Sequence, residues 1–378
     1  MMLMPLIVAG CWFTETDDSE VAMFRANSER TGVFPSGGPS TLNELVWKFQ
    51  TENAAGPPTI SGGTAYFGSA DYLYALNVET GQEKWAFKVE RNVASVPAVL
   101  GETVYFGTGE SIFGGDGYFY AVDTKTGQQK WRFNTRSQVL SSPAVSDSVV
   151  YFGCYEGFLY ALDAETGQEK WIFQTGTERP IHSPAISDGV VYFGSNDNYV
   201  YAVETATGQE QWKFKTSDSI QSPPAISDGT VYLGNADGHL YAINIQTGQE
   251  EWKFKVQDRY SSISSPVILE NTVYFSSTVS HYFESEESNY RASGDLYAVD
   301  TETRQELWRF SVEDGISSPS ISGDTIYFGI GGGYLYALDT STGQEQWKFK
   351  AEDSVSPPTI AGGTVYFGSA DGNLRAVR

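Results

Sequence analysis

Basic residues are scarce in this sequence: 24 Lys and Arg stand against 47 Asp and Glu among 378 residues, a formal charge of −23. With no net positive field to release counterions, nucleic-acid phosphates and anionic headgroups repel the chain, which excludes nucleic acid as a partner and electrostatic membrane binding. Cysteine is nearly absent, with Cys11 and Cys154 alone, so no disulfide framework or cysteine-rich metal site can be drawn. The three histidines, His182, His239 and His281, lie in unrelated contexts and suggest neither a metal site nor an activated nucleophile. The apolar opening, Met1 to Gly10, is too short to cross a bilayer as a helix. No glycine-rich loop leads from a strand into a helix. Against these absences stand 40% hydrophobic residues, 14% aromatics and 39 glycines, enough to bury a core.

From residue 44 onward one unit recurs eight times. A Pro-centred entry (Pro58, Pro97, Pro143, Pro184, Pro224, Pro266, Pro319, Pro358) leads to an aromatic run such as Tyr66-Phe67-Gly68. A second run follows, Leu73-Tyr74-Ala75-Leu76-Asn77 and its copies, then a Thr-Gly turn and a tryptophan: Trp85, Trp131, Trp171, Trp212, Trp252, Trp308 and Trp347. Successive tryptophans are 46, 40, 41, 40, 56 and 39 residues apart, the length of one four-stranded propeller blade. The middle runs are continuously apolar, as strands covered on both faces are. The last alternates, with rings on one side and lysines on the other in Glu83-Lys84-Trp85-Ala86-Phe87-Lys88, which predicts a half-exposed outer strand. Its lysines guard an open sheet edge against pairing with another chain. Trp47 stands in an outer strand with no inner strands before it, and residues 355 to 378 supply three inner strands with no outer strand after them. Together they predict an eighth, composite blade that closes an all-β ring spanning 44–378.

The spacing Ala75-x-Asn77-x-x-x-Gly81-x-x-x-Trp85, recurring through Trp347 with Arg304 in place of one glycine, resembles the tryptophan-docking motif of the pyrroloquinoline quinone (PQQ) repeat propellers. The resemblance covers about nine-tenths of the chain. It implies that Trp47, Trp85, Trp131, Trp171, Trp212, Trp252, Trp308 and Trp347 lodge between neighbouring blades as structural residues. Met23-Phe24-Arg25-Ala26-Asn27 through Gly32 resembles the lead-in of many bacterial members. Val8-Ala9-Gly10-Cys11 resembles a lipoprotein cleavage box, so 1–10 is expected to be the remnant of an export signal and Cys11 a lipid anchor. Residues 11–43, rich in Ser, Thr, Gly and acids, suit a tether and lead-in.

Relatives of two kinds share this propeller. Quinoprotein alcohol dehydrogenases hold PQQ and calcium in its central funnel, whereas lipoproteins of the outer-membrane β-barrel assembly machinery use it as a scaffold without cofactor. The dehydrogenase pattern requires a vicinal-cysteine pair and a tryptophan beneath the quinone. This chain has no Cys-Cys pair, and all eight tryptophans after Trp12 fall at docking positions. Asp71, Asp197, Asp237 and Asp371 read as hairpin-turn residues rather than calcium ligands. No catalytic, cofactor-binding or metal-ligating residue is expected.

Length departures are the informative part of a repeat. Gly109 to Gly117 and Ser276 to Gly294 both fall between second and third strands, in blades 2 and 6, diametrically opposite in a ring of eight. Both should project from one face. Phe113, Asp116, Tyr282, Phe283, Glu284, Glu286, Glu287, Tyr290 and Arg291 offer aromatic anchors within a charged rim, the composition of a recognition surface. The expected protein is a monomeric, non-enzymatic, exported scaffold docking an envelope protein or an extended peptide. The alternatives are a small-molecule or saccharide sensor using the channel and, behind it, a PQQ-dependent dehydrogenase.

Overall fold

A computed structural model describes residues 21–35, 37–109, 115–257, 261–281 and 291–378. Every regular element there is a strand, arranged as eight antiparallel sheets. Blade 4 shows the plan: Ala185–Ser187, Val190–Gly194, Tyr199–Glu204 and Glu210–Lys215 pair in chain order. The second and third strands are buried almost throughout, because adjacent blades cover both faces. The outer strand alternates between half-buried Trp212 and Phe214 and exposed Lys213 and Lys215. The eighth blade joins Thr359–Ala361, Thr364–Gly368 and Asn373–Val377 to the outer strand Leu45–Gln50, in register Trp47↔Ala376.

The inter-blade lock repeats with little variation. In all eight blades the tryptophan ring lies tilted against its own blade's second-strand tyrosine, with centroids 5.7 to 5.9 Å apart. In six blades its Nε1 donates to a carbonyl in the third-to-fourth turn of the next blade, as from Trp85 to Thr124 (2.9 Å), Trp171 to Thr205 (2.8 Å) and Trp212 to Ile245 (2.9 Å). The glycine of that turn lies under the indole: a Cβ on Gly167 would come within 2.6 Å of Trp131. Gly167 also has φ +70°, a left-handed conformation that suits glycine. Arg304 takes the same conformation, φ +62°, so blade 6 keeps the turn at a cost of about 1–2 kcal/mol.

Blade 8 ends at the chain terminus and has no third-to-fourth turn to receive Trp347. Pro39 of the lead-in supplies the carbonyl instead, accepting Trp347 Nε1 at 2.9 Å and the Tyr327 hydroxyl at 3.0 Å. From Val21 onward the lead-in is therefore no free tether but a hairpin pushed into the channel. Val21–Ala22 enters antiparallel to the innermost strand of blade 2, with Val21 opposite Leu100 at its turn end. Val33 leaves parallel to the innermost strand of blade 7 at Ile321. Between these limbs, Ser28, Glu29, Thr31 and Gly32 carbonyls accept the N–H groups of Ile186, Ile226, Ile268 and Ile321 in blades 4 to 7. Met23 and Phe34 are buried in the neighbouring blades' clusters. These apolar contacts and main-chain bonds outweigh the solubility of the segment's Ser, Gly and acidic residues.

Candidate interaction face and the closed channel

In each blade the first strand runs toward the first-to-second turn, so the ring has two distinct faces. First-to-second and third-to-fourth turns share one face, where the lead-in enters and leaves. Second-to-third turns and the inter-blade connections share the other, here called the variable face. Both length departures, in blades 2 and 6, belong to it.

The blade 6 departure is mostly ladder, not loop. Thr272–His281 and Arg291–Asp300 pair continuously from Thr272↔Asp300 to His281↔Arg291, five steps beyond Ser276↔Leu296. The extension holds because Ser261–Ile263, from the preceding inter-blade connection, adds beside it in register Ser261↔Val279 and covers Val279, which is buried. The expected insertion is thus paired strand as far as His281 and Arg291. Tyr282, Phe283, Glu284, Glu286, Glu287 and Tyr290 lie outside the described residues, as do Phe113 and Cys11. Arg291 is placed by its main chain as the first residue of the returning strand. Asp116 is exposed just before the third strand of blade 2.

The variable face also carries two residues that length alone does not reveal. Leu140 and Tyr155 are 43% and 46% exposed, two of four large apolar side chains so exposed among the described residues. The turn that carries Tyr155 is tied to the connection that carries Leu140: the Tyr155 N–H donates to Gln138 O at 2.9 Å. In the same two segments the Arg136 guanidinium lies 4.9 Å from the Phe158 ring centroid, and buried Gln138 leaves its Oε1 without a partner. Repeat alignment contains the signal. Leu140 stands where other connections have Ala94, His182, Gln221 or Ser264, and Tyr155 where other turns have Ala70, Asn196, Ala236 or Ala370.

The titratable groups on this face are engaged structurally. His182 is half-buried, and desolvation lowers its pKa; its Nε2 meets Asn196 Oδ1 at 2.9 Å. His239 Nδ1 lies 2.6 Å from Asp237. Asp197 accepts the Tyr199 N–H and the Tyr201 hydroxyl. In blade 8, Arg375 replaces the third-strand tyrosine and grips Asp371 with both terminal nitrogens. Burial raises the Asp371 pKa, but Arg375 and the Asn373 N–H prevail and hold it down to about 2. Cys154 is buried.

The channel itself holds two cations. Arg25 and Arg30 are 4% and 0% exposed, and both point into a ring of carbonyls at the starts of the innermost strands. Arg25 donates to Pro266 and Pro319, and Arg30 to Pro184, Ser142 and Pro143. Burial lowers both pKa values to about 9, with mutual repulsion adding to the effect at Arg30, so both are charged at neutral pH. These side chains tie four blades together without a carboxylate.

The docking tryptophans and most of the turn aspartates are engaged within the fold. Seven of the eight docking indoles donate to turn or lead-in carbonyls, Trp252 is buried in its blade's cluster, and Asp197, Asp237 and Asp371 are held within their own turns. No group of three or more His, Cys, Asp or Glu could hold a metal ion among the described residues.

The molecule is thus an eight-bladed propeller of the tryptophan-docking class, with its lead-in inserted in the channel and one irregular face. The sequence matches the family described as outer membrane protein assembly factor BamB over residues 41–179, 156–284 and 292–378, and the chain belongs to that family. No curated protein matches it. Among solved structures, BamB from Moraxella catarrhalis is similar with TM-score 0.70 and 18% identity, covering 89% of this chain and 99% of that one. Quinohemoprotein alcohol dehydrogenase ADHIIG from Pseudomonas putida HK5 gives TM-score 0.77 and 16% identity over 95% and 80% of the two chains. The computationally designed Ika8 protein gives 0.73 and 19% over 88% and 99%. At these identities the likeness is one of fold, shared by an assembly factor, an oxidoreductase and a design.

Proposed function

We propose that this chain is an exported, monomeric scaffold, held at a membrane by lipid on Cys11, that docks another envelope protein through its variable face. The observation that carries the reading is the exposure of Leu140 and Tyr155, on two hydrogen-bonded segments of the face that also bears both departures from repeat length. Exposed aromatic anchors are what binding hot spots are enriched in. Membership of the BamB family supports a role in protein association. The acidic composition directs the choice away from nucleic acid.

The test is crosslinking mass spectrometry on the tagged, membrane-anchored protein in its native host, beside Leu140→Ala/Tyr155→Ala and a chain lacking residues 282–290. A partner set that survives in neither variant establishes the face. The same partners at undiminished yield from both variants would reject it.

A further inference from the structure

The inserted lead-in covers only part of the channel wall. Its hydrogen bonds reach the innermost strands or their entries in blades 2 to 7, whereas among the described residues none joins it to the innermost strands of blades 8 and 1, on either side of the closure seam. There a cavity of about 670 Å³ opens between the two limbs of the hairpin. Its walls are the innermost strands Thr59–Ser61 and Thr359–Ala361 on one side, and Ala22, Met23, Val33 and Phe34 on the other. That volume falls within the usual range for ligand sites, and no charged side chain is among the residues lining it.

Three features give its chemistry. First, Ile60 and Ile360 hold the positions at which Ile186, Ile226, Ile268 and Ile321 donate to lead-in carbonyls, yet no lead-in carbonyl among the described residues meets either N–H. Second, Ser61 and Ala361 hold the position from which Ser187 reaches Glu29 at 2.8 Å and Ser322 reaches the Phe34 carbonyl at 3.0 Å. Third, the chain already demonstrates the binding mode. On either side of the cavity the two limbs of its lead-in pair with innermost strands through their main chain, Val21–Ala22 with blade 2 and Val33 with blade 7. The cavity continues that interface into the two uncovered blades.

We infer that this seam cavity is a receptor for a short, uncharged, extended peptide segment of a partner protein, which adds as a strand to blades 8 and 1. Strand addition obtains affinity from main-chain hydrogen bonds and selectivity from side-chain pockets. Each innermost strand is three residues long, so about three to four residues of peptide are engaged at the strand rise. The cavity opens on the face opposite Leu140 and Tyr155, so this inference does not depend on docking at the variable face.

The test uses the full chain and a pool of N-acetylated, C-amidated tetrapeptides built from Ala, Val, Ser and Phe. Retention is read by affinity-selection mass spectrometry and site occupancy by hydrogen exchange. Saturable retention is expected, with exchange at 57–62 and 357–362 slowed at least tenfold. Ala361→Trp and Ser61→Trp, which fill the cavity from the innermost strands of blades 8 and 1, should each cut retention at least tenfold. A matched pool containing Asp and Lys should not be retained. No retention by the native chain, or retention undiminished in both variants, overturns the inference. So does slow exchange at both segments without peptide that is released by Trp12→Ala/Phe13→Ala, because residues of the chain itself would then occupy the cavity.

Discussion

The two faces of the ring share the same strands and differ in how strictly the repeat is kept. On the face that receives the lead-in, turn after turn places a left-handed glycine beneath the preceding blade's tryptophan and a carbonyl at its Nε1. Even the missing turn of blade 8 is replaced, by Pro39. On the variable face the connections differ in length and residue, and large apolar side chains reach solvent. A blade contacts only its neighbours, so the uniform face concentrates the terms that hold the ring together. The variable face is then free to change without loss of the fold.

If that division is right, substitutions on the uniform face should cost stability in proportion to what they unpack. Trp171→Ala removes a lodged indole and leaves the Thr205 carbonyl unpaired; a loss of about 3–5 kcal/mol is expected in urea unfolding. Leu140→Ala/Tyr155→Ala, measured the same way, should stay within about 0.5 kcal/mol of the parent, as exposed substitutions do. A cost near that of Trp171→Ala would break the comparison.

Arg30→Met comes next, at about 3 kcal/mol, because it strips donors from buried carbonyls in blades 3 and 4. It also reports through pH. The folded-state pKa of Arg30 lies near 9, below the ordinary 12.5, so between those values the unfolded chain binds more protons and stability rises with pH. Arg30→Met should flatten that rise in denaturation curves taken above pH 9.

Asp371→Asn, in the turn that Arg375 grips, should cost about 2 kcal/mol at neutral pH. The folded pKa of Asp371 is depressed to about 2, so its stabilisation is present above the ordinary value of 3.8 and is lost as pH falls through 2. Parent and variant should therefore converge in acid. A smaller effect than these losses has the opposite sign. Arg304→Gly relieves a left-handed arginine and should raise stability by about 1 kcal/mol, bringing blade 6 into line with its sisters.

The ring was legible because repetition multiplies a weak signal. Eight tryptophans at blade spacing, and an orphan outer strand matched to three orphan inner strands, lead to the observed closure at Trp47↔Ala376. The inserted hairpin was not legible, since it occurs once and its Ser, Gly and acidic content reads as solvated chain. Its trace is two arginines, Arg25 and Arg30, in a sequence poor in cations, flanked by Met23-Phe24 and Val33-Phe34. Length pointed to the variable face, but Leu140 and Tyr155 are substitutions within repeats of ordinary length and show only when the copies are aligned position by position. The extended ladder of blade 6 was hidden because its cover, Ser261–Ile263, comes from a different connection.

The most direct test of the division between faces is site-specific photocrosslinking in the native host. A photoreactive amino acid is placed at Tyr155 on the variable face or at exposed Glu102, in a first-to-second turn of the uniform face. A discrete protein adduct from Tyr155, at least tenfold stronger than any from Glu102, is the predicted result. Equal adducts from both positions, or an adduct from Glu102 alone, would contradict docking through the variable face.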